Sequence, residues 1–101
     1  MKKVEVIDNS NNIFTIVDEN RKIYRIIMWF ENFATKPQPG DYMFISEKVL
    51  NDPEEINTPK TYGPFTKLGY ARKPEMMTEK DFIVVVNDDK MIVYQLSLIH
   101  I

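Results

Sequence analysis

Cysteine is absent from the 101-residue chain. That excludes a disulfide framework, thiolate zinc sites and thiol nucleophiles. Histidine occurs once, as His100, so a catalytic triad or a histidine metal site has a single imidazole to draw on. Glycine is scarce: Gly40, Gly63 and Gly69 are the three residues. Their spacing fits neither G-x-x-x-x-G-K-[ST] nor G-x-G-x-x-G, which disfavours nucleotide binding by either loop. A strong charge of one sign is also missing. The net charge is −2, so no global field draws the chain onto nucleic acid or an anionic membrane. Long apolar runs are missing too. The densest stretches, IIMWF (26–30) and FIVVV (82–86), fall far short of the ~18 residues a membrane helix needs. The opening MKKVEVIDNS has two lysines with no apolar run behind them, so no signal peptide is expected there. These absences lead us to expect a soluble, cytoplasmic protein.

What is present fits a globule. The chain is 44% apolar, 28% charged and 12% aromatic, unlike the low-hydrophobicity, high-charge composition of disordered segments. Its length suits one domain, able to bury roughly 60–70% of the surface its unfolded chain exposes.

The patterning is mostly of period two. KVEVID (3–8) alternates, with Val4 and Val6 on one face. DNSNN (8–12) is turn chemistry, because Asn, Asp and Ser side chains bond locally to the backbone. IFTIVD (13–18) is rich in β-branched and aromatic residues, as a strand should be, and DENRK (18–22) turns the chain again. IYRIIMWF (23–30) is the third strand. Tyr24, Ile26, Met28 and Phe30 share one face, and Ile23, Arg25, Ile27 and Trp29 the other. Both faces are largely apolar, which suits a central strand covered on both sides or a curved barrel strand.

Pro39-Gly40 suits a type II turn, with proline presetting φ and glycine taking the positive value. DYMFIS (41–46) reads as a fourth strand. Ser46 is placed to cap a helical turn over 47–52, stopped by Pro53. Residues 53–77 hold much of the proline and glycine and read as a long irregular excursion. FIVVV and MIVYQ (91–95), joined by NDDK (87–90), read as a hairpin. The expected fold class is mostly all-β: a small, partly open OB- or SH3-like barrel with one short helical turn and a C-terminal hairpin.

Each chemical motif has a structural alternative. Asp52-Glu54-Glu55 and Asp88-Asp89 are close carboxylates, but the spacing of a calcium loop is absent. They read as solvated turns, and no metal, cofactor or catalytic residue is expected. KTYGPFTKLGYARK (60–73) is more suggestive. Lys60, Lys67, Arg72 and Lys73 interleave there with Tyr62, Phe65 and Tyr70, and no acid intervenes. Aromatics that stack bases beside cations that hold phosphates are how single-stranded nucleic acid is bound. The same residues also suit a loop whose aromatics pack onto a barrel while its cations stay in water. WFENF (29–33) groups Trp29, Phe30 and Phe33. These either cap the core or form a partner-binding patch, large aromatics being enriched in interface hot spots.

TYGPF, YARK and the following MTEKDFIVVVNDDKMIVYQ carry a resemblance, together with the earlier DEN-RKIYRI and PGDYMFISEKVL blocks. In these the chain is similar to a family of small uncharacterised β-rich proteins from low-GC gut bacteria. The resemblance covers most of residues 2–95 and implies no assigned activity, so it brings no site residues with it. It breaks where LSLIHI (96–101) begins. Those six residues are what the mosaic end of a widely used library-preparation transposase encodes. The expectation is therefore a single domain over 1–95 and a non-native read-through tail over 96–101, with His100 in the tail.

Without a nucleophile–base pair, a phosphate loop or a metal cluster, the leading expectation is a non-enzymatic binding module with a protein partner. The alternative is weak, sequence-tolerant single-stranded nucleic-acid binding through residues 60–73. An enzyme using only carboxylate, Tyr and Lys chemistry is a third possibility that no spacing promotes.

Overall fold

The computed structural model describes residues 1–31, 36–51, 60–70, 82–87 and 90–96. Its strands are β1 (Lys2–Asp8), β2 (Ile13–Asp18), β3 (Ile23–Phe30), β4 (Tyr42–Ile45), β5 (Lys60–Tyr70), β6 (Phe82–Asn87) and β7 (Lys90–Leu96). A 3-10 turn (Ser10–Asn12) joins β1 to β2, and one helical turn, α1 (Glu47–Leu50), follows β4. The strands form a ring in the order β1-β2-β3-β5-β7-β6-β4, and β4 pairs with β1 to close it. The expected barrel-like, all-β class is the one observed. No described helix is long and apolar enough to cross a membrane.

The ring contains seven strands, and parity then dictates one feature of it. An odd ring cannot alternate strand direction at every step, so at least one seam must be parallel. That seam is β3–β5; the other pairings are antiparallel. A parallel seam needs a crossover connection. Here the chain leaves β3, adds β4 beside β1 on the far side of the ring, and returns as β5.

β5 corrects the expectation of an irregular excursion. Residues 60–70 form the longest strand, and it is the strand that joins β3 to β7. Without it the barrel would be open between them; with it the ring is closed rather than partly open. Two β-bulges hid its pattern. One falls at Gly63, where Met28 and Trp29 oppose Tyr62 and Pro64. The other falls at Leu68, where Tyr94 and Val93 oppose Lys67 and Gly69. Each extra residue shifts the alternation by one. The residues opposite the inward-facing Ile26, Met28 and Phe30 are Lys60, Tyr62 and Phe65. Those opposite the inward-facing Tyr94 and Ile92 are Lys67 and Tyr70. The spacing on this face is therefore 2-3-2-3 in place of 2-2-2-2.

The turns follow their local chemistry. Asp41 N–H donates to the Gln38 carbonyl at 2.9 Å across Pro39-Gly40, and Gly40 has φ +95°. This is the expected type II turn. After β2, Asp18 holds the hairpin together. Its Oδ1 accepts the backbone N–H of Asn20 at 2.8 Å and of Lys22 at 2.9 Å, and its Oδ2 accepts the Tyr24 hydroxyl at 3.2 Å. Lys2 Nζ lies 3.7 Å from the same carboxylate. The helical turn begins where expected, with the Ser46 carbonyl accepting from Val49 and Leu50 N–H. Pro53, the expected stop, lies outside the described residues.

The barrel interior is filled. Val4, Val6, Phe14, Ile16, Ile26, Met28, Met43 and Ile45 are essentially inaccessible to solvent, as the side chains of a narrow barrel should be. Phe30 is the centre of an aromatic cluster. Its ring lies 5.6 Å from Phe14, 5.4 Å from Phe65 in a stack and 5.0 Å from Tyr94 edge-on. Such geometries add to the area that the rings bury. Leu50 of α1 is buried, and Leu96 packs against the same core. Leu96 is the last described residue, so the rest of LSLIHI, including His100, lies outside the description.

Candidate functional site

Among the described residues, a filled interior and a closed ring leave the outer surface and the ends of the barrel for a site. Strand alternation decides which side chains are there. On β3 the outward residues are Ile23, Arg25, Ile27 and Trp29, alternating with the buried set. Beside them on β2 lie Val17, Thr15 and Ile13, opposite Ile23, Arg25 and Ile27. On β5, Thr61 lies opposite Ile27 and Pro64 opposite Trp29. The result is an outer face with apolar groups at both ends of β3 and Arg25 between them. Ile23 is 57% exposed and Trp29 49%; Ile13, Val17, Ile27 and Pro64 are half-buried. Both faces of β3 are apolar because its inner side fills the barrel while its outer side presents this patch.

At the end of β3 the face gains a fixed carboxylate. Glu31 N–H donates to the Phe65 carbonyl at 3.3 Å, and the Thr66 hydroxyl donates to Glu31 Oε1 at 3.2 Å. Thr66 lies opposite the exposed Gln95, next along the strand from the inward Phe65, so this contact is on the outer side.

The residues singled out in the sequence separate into groups. Trp29 stands on the outer face. Phe65 is a core residue, 4% exposed, and its ring has no face free for a base. Tyr62 is half-buried against the core and donates its hydroxyl to the Val49 carbonyl at 3.5 Å, fastening α1 to β5. Lys67 and Tyr70 come together. The bulge at Leu68 puts them on one face, with Lys67 Nζ 4.6 Å from the Tyr70 ring centroid and 3.4 Å from its hydroxyl. Tyr70 is 65% exposed. Phe33, Arg72 and Lys73 lie outside the described residues, as do Asp52, Glu54, Glu55, Asp88 and Asp89. The interleaved aromatics and cations of residues 60–70 are thus one side of a doubly bulged strand. Most of its aromatic surface packs against the barrel.

Sequence reasoning did not single out Arg25, Glu31, Ile13 or Pro64 as site residues. The signal for Arg25 and Glu31 was available: R-x-I-x-W-x-E places them on the side of β3 that carries Trp29.

The outer side of β1 has a shallow groove of about 360 Å3, lined by Lys3, Glu5, Val17, Asp18, Glu19 and Tyr42. Lys3 Nζ sits 4.6 Å from the Tyr42 ring centroid. The Asp18 carboxylate there has a displaced pKa. The backbone N–H of Lys22 holds it below the ordinary 3.8, with smaller help from Asn20, Tyr24 and Lys2, against desolvation that raises it. A carboxylate so committed is a structural anion rather than a proton shuttle. The Lys60 amine is pushed below its ordinary value by burial, but Lys60 does not line this groove. Among the described residues no three His, Cys, Asp or Glu side chains converge as a metal site would require.

No family model matches this chain, and neither a curated protein nor a solved structure proves similar to it.

Proposed function

We propose that the chain is a non-enzymatic binding module of the cytoplasm that docks a protein partner on the outer face of β2, β3 and β5, centred on Trp29. The observation that carries this reading is the outward row of β3, where a half-exposed tryptophan lies among isoleucines with an arginine in their midst. Trp and Arg are the residue types most enriched where interfaces concentrate their energy. The closed ring adds a constraint. A barrel whose strands each have two neighbours offers no sheet edge along its paired length, so a partner cannot join by adding a strand there. It must dock on side chains, face-on.

A photo-crosslinking amino acid at position 27 tests this, with one at the exposed position 42 on β4, three strands away around the ring, as control. Crosslinks to protein are expected from position 27 and are expected to be lost in Trp29→Ala. Equal crosslinking from both positions, unaffected by Trp29→Ala, would sink the reading.

Nucleic-acid binding along β5 is the second reading. It is supported by the exposed Lys67–Tyr70 pair and weakened by Phe65, which is committed to the core. It predicts retardation of single-stranded oligonucleotides that fades steeply with salt and is lost in Tyr70→Ala. Unchanged mobility at low salt removes it.

A further inference from the structure

We infer that the partner for this face is a second copy of the same chain, joined in a two-fold dimer through β3. The inference rests on the reading of the outer face as a protein-docking surface and names its occupant.

The outward positions read, in order, Arg25, Ile27, Trp29 and Glu31. This series is self-complementary: a cation, two apolar groups and an anion. Consider a two-fold axis lying in the interface, perpendicular to β3 and passing at the level of Met28. It lays β3 of one protomer antiparallel over β3 of its partner. Residue 25 then faces residue 31, and residue 27 faces residue 29. Arg25 of each copy meets Glu31 of the other at the two ends, and Ile27 packs on Trp29 twice in the middle. Apolar contacts at the centre with charges at the rim is the usual anatomy of an interface. A surface that complements itself is what an isologous dimer requires.

The two charges are placed for this role. Glu31 is steadied by Thr66 and by its own backbone bond to Phe65, and its Oε2 has no partner among the described residues. Arg25 is exposed, opposite the short side chain of Thr15. Within one chain the two residues cannot help each other. Six residues of extended strand separate them by roughly 20 Å, beyond the screening length of about 8–10 Å at ordinary ionic strength. Any energetic coupling between positions 25 and 31 must therefore arise between molecules.

Sheet faces stack about 10 Å apart, which accommodates Trp29 and Ile27 interdigitated. A face only about 20 Å long sits at the small end of interface sizes, so dissociation is expected in the micromolar range.

The experiment is sedimentation equilibrium of the full chain and of three variants: Arg25→Glu, Glu31→Arg and the double reversal. Each variant is checked for an unchanged unfolding transition, as expected for exposed sites. The original chain should dimerise. Either single reversal sets like charges against each other at both ends and should weaken the dimer at least about 10-fold. The double reversal restores opposite charges and should recover the original affinity to within about 3-fold. A chain that stays monomeric up to about 1 mM overturns the inference. So does a double variant as weak as the two single effects added together. In either case, position-27 crosslinks to a different protein would leave the docking-face reading standing and show that only its occupant was wrong. Loss of those crosslinks as well would remove both.

Discussion

On the inner face of β3, Tyr24, Ile26, Met28 and Phe30 are buried, while on the outer face Ile23, Arg25, Ile27 and Trp29 meet solvent to differing extents. The two sets alternate along one strand and are similarly apolar, yet their surroundings give them different work. The inner set is closed in by the other strands, so its energy goes into folding. The outer set has no cover of its own among the described strands, and a half-exposed tryptophan contributes little until something packs on it. Apolar content alone does not separate a buried row from a solvent-facing one. Closure of the ring does.

Truncating one residue on each face of β3 should separate their roles most strongly. Phe30→Ala removes the ring that touches Phe14, Phe65 and Tyr94. It should cost about 3–5 kcal/mol in denaturant unfolding, a large share of what a small domain has. Trp29→Ala removes a half-exposed ring and should cost only about 1 kcal/mol while abolishing association. If the two variants lose similar stability, Trp29 belongs to the core and the contrast between faces fails.

Asp18 supports both faces of β3 from the polar side, because its carboxylate closes the turn that aligns β2 with β3. Its folded pKa lies below 3.8. The stability it contributes is therefore fully present above the unfolded value and is lost as pH falls through the folded one. The melting temperature should drop below about pH 4. In Asp18→Asn the protein should melt lower at pH 7, and that part of the acid slope should be missing. An unchanged slope would show that Asp18 has no special role.

A smaller effect is expected at Gly40→Ala. The position has φ +95° with open space around the missing Cβ, so the penalty is conformational and about 1 kcal/mol. Association should be untouched, since the turn lies between β3 and β4 and outside the outer row. A change in association with no change in stability would point to a second docking surface at this turn.

The same physics explains what could be read from the chain. Val4 and Val6, the two sides of β3, the Pro39-Gly40 turn and the hairpin of β6 and β7 all follow from unbroken alternation or from turn chemistry local to a few residues. β5 was not legible, because bulges at Gly63 and Leu68 reset its alternation twice and Pro64 discourages a strand assignment. Its cations and aromatics looked like a nucleic-acid loop because their 2-3-2-3 spacing has no simple period. Phe65 shows the consequence: a residue proposed for ligand stacking is held by Phe30 in the core. Trp29 was legible as an interface candidate. Its relation to Arg25 and Glu31 was not, because their value lies in a symmetry that appears only once the strand is known to face outward.

The most direct test of the account uses the single tryptophan of the chain as its own reporter. Trp29 fluorescence would be recorded from well below to well above micromolar protein concentration. The emission maximum should move to shorter wavelength as concentration rises and Trp29 leaves water, and in Arg25→Glu the same shift should need at least about 10-fold more protein. Emission that stays at the long-wavelength, solvent-exposed position throughout would contradict the account.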